Sequence, residues 1–300
     1  MSTLPQQLNP SQVSAIARLF SSSVIRELAA RGESNLFSCL VKESSLVEDI
    51  DLSASVSHLF DTAYSLLKKT GNRHEYVYKA AIAHKILLGK HTLRSATMLT
   101  EFRVGDCRAD VVILNGTSTV YEVKSERDKL DRLEAQLSAY IQVFARVNVI
   151  TGENHLAEVL STVPPEVGVM LLSRRYQIST IREATDAPGR IVPEVMFDSL
   201  RLDESQRILD RLGIQCPSVP NTQRYQELRK RFARLTPHEA HSGMVSVLRE
   251  TRSMLPLAKL VPGLPSSLRA AALSTRLRRS DHSRLVSALQ TSIEDAMNWA

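Results

Sequence analysis

The chain has 300 residues, of which 43% are hydrophobic, and a formal net charge of +6. This length allows one large domain or two ordinary ones, and the apolar content is ample for a buried core. No apolar run reaches the ~20 residues of a membrane-spanning helix, and Met1–Pro10 lacks the apolar core of a signal peptide. The three cysteines are widely separated and do not suggest a disulfide framework. We therefore expect a cytoplasmic protein without a membrane partner.

The first 71 residues predict an N-terminal helical region. Apolar residues recur at helical spacing in Ser11–Arg31 and again in Asp51–Lys69. Gly32 is a plausible C-cap of the first helix. A third helix is predicted over Arg73–Leu88, with Asn72 as its N-cap.

Three strands are predicted next. The first is Met98–Val104, followed by a turn at Gly105-Asp106. The second is the β-branched run Cys107–Leu114, which carries the carboxylate of Asp110. The third is Val120–Ser125, in which Glu122 and Lys124 are two apart and point to the same face of the strand. Asn115-Gly116, between the second and third strands, is typical of a hairpin turn.

The length of this hairpin loop decides whether the charged residues can meet. A strict two-residue loop of Asn115 and Gly116 would set Asp110 opposite Tyr121, on the other face of the sheet from Glu122. We therefore predict an odd-length loop or a bulge, with Gly116 in the left-handed region.

The rest of the core alternates helix and strand. We predict a helix over Asp128–Arg146, a strand at Val147–Ile150, a short helix at His155–Ser161 and a strand at Val167–Ser173. A further short strand at Tyr176–Ile181 would complete a core spanning residues 72–192. The pattern indicates an α/β fold with a mixed sheet.

Residues 193–300 predict a C-terminal helical region that carries the positive charge of the chain. Residues 200–300 hold 16 Lys and Arg against 9 Asp and Glu. This excess suggests a polyanion partner such as nucleic acid, although a solvated helical surface is an equal alternative. The basic clusters that would bind a phosphate backbone are Arg224, Arg229, Lys230, Arg231 and Arg234, and Arg276, Arg278 and Arg279.

Charged residues in buried strands need a reason, because an unpaired buried charge is costly. Two carboxylates beside a lysine suit Mg²⁺ or Mn²⁺ acting on a phosphate. The alternative is a structural ion pair at the sheet edge, between Lys124 and either Asp110 or Glu122.

The order of these residues resembles a known superfamily. Asp110, followed after eleven residues by Glu122-Val123-Lys124, is similar to the Asp…Glu-x-Lys motif of PD-(D/E)XK nucleases, although Ala109 stands where a proline is expected. Gln136 and Tyr140 resemble the Gln-x-x-x-Tyr motif of RecB-like members. The resemblance covers about residues 72–175 and extends to uncharacterised bacterial and prophage-encoded proteins.

The resemblance implies a restriction-endonuclease-like core, α-β-β-β-α-β, and a role for each motif residue. Asp110 and Glu122 would hold the metal, with the backbone carbonyl of Val123 as a further ligand. Lys124 would orient or activate the attacking water, and Gln136 and Tyr140 would position the lysine-bearing strand or the nucleic acid. The superfamily often adds an acidic residue from the preceding helix, and the implied residue here is Glu75.

The leading hypothesis is a Mg²⁺-dependent nuclease of the bacterial cytoplasm, acting on DNA, with a role in phage defence or mobile-element maintenance that only the resemblance suggests. Two alternatives are a non-catalytic nucleic-acid-binding module and a helical regulatory protein that keeps the core as a scaffold. The helical regions would form the interface of a homodimer or bind a protein partner.

Overall fold

The computed structural model describes residues 8–48, 50–216 and 218–299. Most of the segment Met1–Pro10 therefore lies outside the described residues. The chain forms two units, one of residues 1–84 together with 256–300, and one of residues 85–255. No helix in the described part of the chain is long and apolar enough to cross a membrane.

The first unit is helical. Its N-terminal helices are α1 (Pro10–Leu19), α2 (Ser22–Arg31), α3 (Asn35–Ser44), α4 (Val56–Leu67) and α5 (Glu75–Ile82), and its C-terminal helices are α13 (Ser266–Ser274), α14 (His282–Gln290) and α15 (Ile293–Ala296). The two ends of the chain pack together inside this unit. Phe37 contacts Trp299, and the Arg284 guanidinium donates to the carbonyl oxygens of Ala29 and Ala30.

Local hydrogen bonds explain where the predicted helices of this unit were wrong. Ser11–Arg31 is two helices, because the Ser21 side chain caps a new helix through the backbone N–H of Val24. Asn72 does not cap α5; its side-chain amide donates to the carbonyl of Leu66, near the end of the preceding helix. Gly32 does terminate α2 in the left-handed region, as predicted. Helix α3 was missed.

The second unit contains the sheet. Its six strands are β1 (Thr97–Val104), β2 (Cys107–Leu114), β3 (Ser118–Lys124), β4 (Arg146–Thr151), β5 (Gly168–Leu172) and β6 (Ile178–Arg182). They lie side by side in chain order. β3, β4 and β5 are parallel, whereas β1–β2, β2–β3 and β5–β6 are antiparallel pairs. The predicted α/β fold with a mixed sheet is thus confirmed, and in the described residues the sheet has six strands and is flanked by helices.

The rest of this unit is mainly helical. Its helices are α6 (Leu88–Lys90), α7 (Leu133–Ile141), α8 (Leu156–Thr162), α9 (Pro193–Ser199), α10 (Leu202–Arg211), α11 (Asn221–Phe232) and α12 (Pro237–Thr251). The predicted helix Asp128–Arg146 starts later, at Leu133, because the Asp128 carboxylate accepts from the backbone N–H of Ser125 and closes a turn. Within the region predicted to be helical from residue 193, α9 and α10 are separate helices, because Glu204 accepts from the N–H of Arg201 at the start of α10.

The unit boundaries differ from the sequence-based divisions at 71/72 and 192/193. Ile208, Leu209 and Phe232, from the region predicted to be separate, are fully buried in the same apolar cluster as Val120 and Val149 of the sheet. Burial of each such side chain contributes about 1.5–3 kcal/mol. Residues 193–255 therefore belong to the core of the sheet unit.

Candidate active site

The β2–β3 hairpin has the predicted odd-length loop. Leu114 pairs with Ser118, so three residues, 115–117, connect the strands, and Gly116 has a φ of 112°. The register that pairs Val111 with Tyr121 sets Asp110 opposite Glu122. Directly opposed residues of an antiparallel pair share a face, so the two carboxylates come from the same side of the sheet.

Asp110 lies where the β2–β3 ladder ends. Its Oδ2 accepts a hydrogen bond from the backbone N–H of Val123, with an N–O distance of 2.8 Å. This hydrogen bond fixes the carboxylate beside β3, just beyond the last backbone pair of β2 and β3. Metal ligation by the carbonyl of Val123 stays a prediction.

Glu122 is buried, with 2% of its surface exposed. Its Oε1 lies 3.0 Å from the Lys124 ammonium, and its Oε2 lies 3.0 Å from the Tyr140 hydroxyl. Burial raises the pKa of Glu122 above its ordinary value, against the opposing charge of Lys124 and the hydrogen bonds from Lys124, Tyr140 and Gln136. A cation near this carboxylate would favour its ionised form.

Lys124 is held between two acceptors. Besides Glu122 Oε1, its Nζ donates to the side-chain oxygen of Gln136 at 2.8 Å. Only 6% of Lys124 is exposed. The ammonium is thereby fixed at the carboxyl end of β3, one of the parallel strands, which is where open α/β sheets generally bind ligands.

Helix α7 brings Gln136 and Tyr140 to this strand from one face, as their spacing of four predicts. The Tyr140 hydroxyl lies 2.7 Å from the backbone carbonyl of Arg108 as well as 3.0 Å from Glu122. One proton serves only one acceptor at a time. Burial first, and the nearby Glu122 charge second, raise the pKa of Tyr140 far above its ordinary value, so the side chain stays a neutral donor.

Glu101 is a residue that the sequence-based site did not include. It lies opposite Asp110 in the β1–β2 register, and a carboxylate oxygen of each lies within 4.8 Å of the other. Glu101 has a φ of 54°, which is strained for a residue with a side chain. The signal available in the sequence was its position opposite Asp110 across the Gly105-Asp106 turn.

The other predicted ligand, Glu75, lies in the helical unit. It is the first residue of α5 and forms an ion pair with Lys79, one turn later. A carboxylate in the first turn also interacts favourably with the helix dipole. Its role as a metal ligand stays a prediction.

The donor set of the sheet unit fits a hard divalent cation. Carboxylate oxygens are the ligands that Mg²⁺ and Mn²⁺ prefer. Mg²⁺ binds oxygen at about 2.0–2.1 Å, so two ligands on opposite sides of the ion are about 4.2 Å apart. The Asp110–Glu101 separation, within 4.8 Å, is close to that span.

Comparison with known proteins places the chain in a phage-related family. The family model described as Bacteriophage P4 protein cII matches residues 68–254, more than half of the chain. The chain belongs to this family. Protein cII of Enterobacteria phage P4 is 35% identical over 134 residues, which is 43% of this chain and 50% of the relative, so the match spans only half of the phage protein.

A solved structure of a protein of unknown function from Silicibacter pomeroyi is also similar, at 20% identity. The match covers 47% of this chain and 92% of that one, with a TM-score of 0.30. A TM-score this low does not establish a shared fold.

The segment matched to the cII family contains the whole of the site around Glu122 and the first basic cluster, but it ends before the second. In the first cluster, Arg229 pairs with Asp198, and Lys230 and Arg231 both pair with Glu227. Local partners thus neutralise part of its charge. The second cluster, Arg276, Arg278 and Arg279, lies in the helical unit and is exposed.

Proposed function

We propose that this member of the cII family is a metal-dependent nuclease that hydrolyses phosphodiester bonds, with DNA as its substrate. The observation that carries the proposal is the convergence of Glu122, Lys124, Gln136 and Tyr140 at the end of β3, with Asp110 fixed against the same strand. A restriction-endonuclease-like core is part of the proposal. The order β1-β2-β3-α7-β4 is the order that the superfamily resemblance implies.

Asp110 and Glu122 would hold the cation, with Glu101 as a further ligand from β1. The bound cation would offset the negative charge that develops on the phosphate and lower the pKa of a coordinated water. The hydrogen bond from the Val123 N–H fixes the direction of the Asp110 carboxylate. That preorganisation is what a metal site needs from the protein.

Lys124 would stabilise charge or orient the attacking water. Its ammonium already lies within hydrogen-bond distance of Glu122, and Gln136 holds it from the helix side. A fixed positive charge in a poorly solvated site stabilises developing negative charge more than it would in water. Tyr140 would position Glu122, because its hydroxyl lies 3.0 Å from the second carboxylate oxygen.

One observation favours the alternative, a non-catalytic nucleic-acid-binding or regulatory protein with the same fold. Glu122 and Lys124 are both buried and bonded to each other, so they would also serve as a structural ion pair. In that case neither side chain would need a metal or a substrate.

The test is degradation of supercoiled plasmid and of linear duplex by the purified full-length protein. We expect cleavage with Mg²⁺, none with excess EDTA, and none with Asp110→Ala, which removes a ligand. The Arg146→Ala variant is a matched control, because Arg146 begins β4 at the opposite end of the sheet from Lys124. If the protein cleaves neither DNA nor RNA with Mg²⁺ or Mn²⁺, the nuclease proposal is refuted and the non-catalytic alternative stands.

A further inference from the structure

The tip of the β1–β2 hairpin, residues 101–110, continues beyond the last paired residues of β2 and β3, and we call it the arm. Strands β1 and β2 pair as far as Val104 and Cys107, whereas pairing of β2 with β3 stops at Val111 and Tyr121. Because β2 runs antiparallel to β3, the arm lies at the end of the sheet where Lys124 lies.

Two arginines stand opposite each other on the arm. Arg103 pairs with Arg108 in the ladder, so their side chains share one face. Both are exposed, while Phe102, Val104 and Ala109 are buried. Among the residues that the structure describes, neither guanidinium forms an ion pair. Like charges directly opposite each other destabilise a strand pair, so this arrangement suits an anion supplied from outside.

The arm is connected to the proposed active site through Arg108. The Tyr140 hydroxyl, which contacts Glu122, also contacts the backbone carbonyl of Arg108 at 2.7 Å. Asp110 is two residues further along the same strand, roughly 7 Å at the usual rise per residue. Arg103 is oriented by a hydrogen bond from its Nε to the carbonyl of Gly105 at 3.0 Å.

We propose that Arg103 and Arg108 bind the phosphate backbone of duplex DNA beside the phosphodiester that the site would cleave. The inference rests on the proposed function for its substrate, and it adds a binding surface outside the basic clusters of the C-terminal third. Two guanidiniums on one exposed face contact phosphates without reading bases, so they fix the position of the strand and give no sequence preference.

The experiment measures binding of the full chain to a fluorescein-labelled duplex of random sequence in EDTA, at several salt concentrations. The variants are Arg103→Ala/Arg108→Ala, Arg108→Lys and the control Arg146→Ala. We expect the double variant to bind more weakly and its log affinity–log salt slope to fall by about 1.8, since each phosphate contact contributes about 0.9. Arg108→Lys and Arg146→Ala should keep the parental slope to within about half of one such contact.

Thermal unfolding separates binding from a structural role. If the two arginines bind the substrate and do not stabilise the fold, the melting temperature of the double variant is no lower than that of the parent, because a like-charge contact is removed. An unchanged salt slope, an equal loss in Arg146→Ala, or no duplex binding by the parent protein would each overturn the inference. If duplex binding depends on the arm but the protein has no nuclease activity, the proposed function is refuted while this inference stands.

Discussion

Replacing Tyr140 by phenylalanine removes one hydroxyl from the centre of the site and keeps the ring. The hydroxyl lies 3.0 Å from Glu122 Oε2 and 2.7 Å from the Arg108 carbonyl, and Glu122 is 2% exposed. Water is thus poorly placed to replace the lost donor. A hydrogen bond to a charged group contributes about 1.5–3 kcal/mol, so we expect Tyr140→Phe to lower the free energy of unfolding by that amount at pH 7.

The matched control is Tyr121→Phe. Tyr121 lies on the same strand as Glu122 and is 8% exposed, and burial raises its pKa to about 12. No hydrogen bond to its hydroxyl is found among the described residues. Removal of the hydroxyl should therefore change the free energy of unfolding by less than about 0.5 kcal/mol, because no hydrogen bond is broken.

The assay is urea unfolding followed by circular dichroism for the parent and both variants. For a unit of this size, a loss of 1.5–3 kcal/mol corresponds to a decrease in melting temperature of about 3–12 °C. If Tyr140→Phe is no more destabilising than Tyr121→Phe, the Glu122 carboxylate does not depend on the phenol, and its proposed positioning role is refuted.

Two other predictions concern buried charge in the same unit. Burial lowers the pKa of His241, whose Nε2 lies 3.0 Å from the Ser118 hydroxyl. The neutral imidazole therefore stabilises the fold above pH ~6.5, and this stabilisation is lost as the pH falls through the folded-state pKa. We expect His241→Asn to reduce the loss of stability between pH 7 and 5. The same pH dependence in variant and parent would contradict this. Glu204 is fully buried, and although burial raises its pKa, hydrogen bonds led by that from Arg252 lower it below the ordinary value. Arg252→Ala should cost about 3–5 kcal/mol in urea unfolding, against less than about 1 kcal/mol for the exposed Arg207→Ala, and equal effects would contradict it.

The strands were predictable because their signals are local. β-branched runs bounded by turns predicted β1, β2 and β4 to within about one residue. The requirement that Asp110 and Glu122 share a face predicts the odd-length loop, since the side chains of a strand alternate with a period of two. The convergence of Gln136 and Tyr140 followed from helical spacing.

The sequence-based predictions were wrong where long-range contacts or side-chain hydrogen bonds determine the structure. Glu101 was left out of the predicted site although its position opposite Asp110 followed from the turn, and nothing local in the sequence shows the positive φ that it adopts. Polar side chains that bond to the backbone, such as Asp128, shortened predicted helices. The apolar faces of α10 and α11 were visible in the sequence, but a helical pattern does not say which surface the face will cover, so residues 193–255 were separated from the sheet whose core they share.

In the proposed nuclease, Lys124 takes part in the chemistry and is not only the ion-pair partner of Glu122. The most direct test is the cleavage rate of Lys124→Ala measured beside its metal affinity and that of Asp110→Ala. A group used mainly in the transition state affects turnover more than binding. We expect both variants to lose cleavage, Asp110→Ala to bind Mn²⁺ more weakly, and Lys124→Ala to keep metal and duplex binding near those of the parent. A Lys124→Ala protein that cleaves DNA as fast as the parent would contradict this role of Lys124.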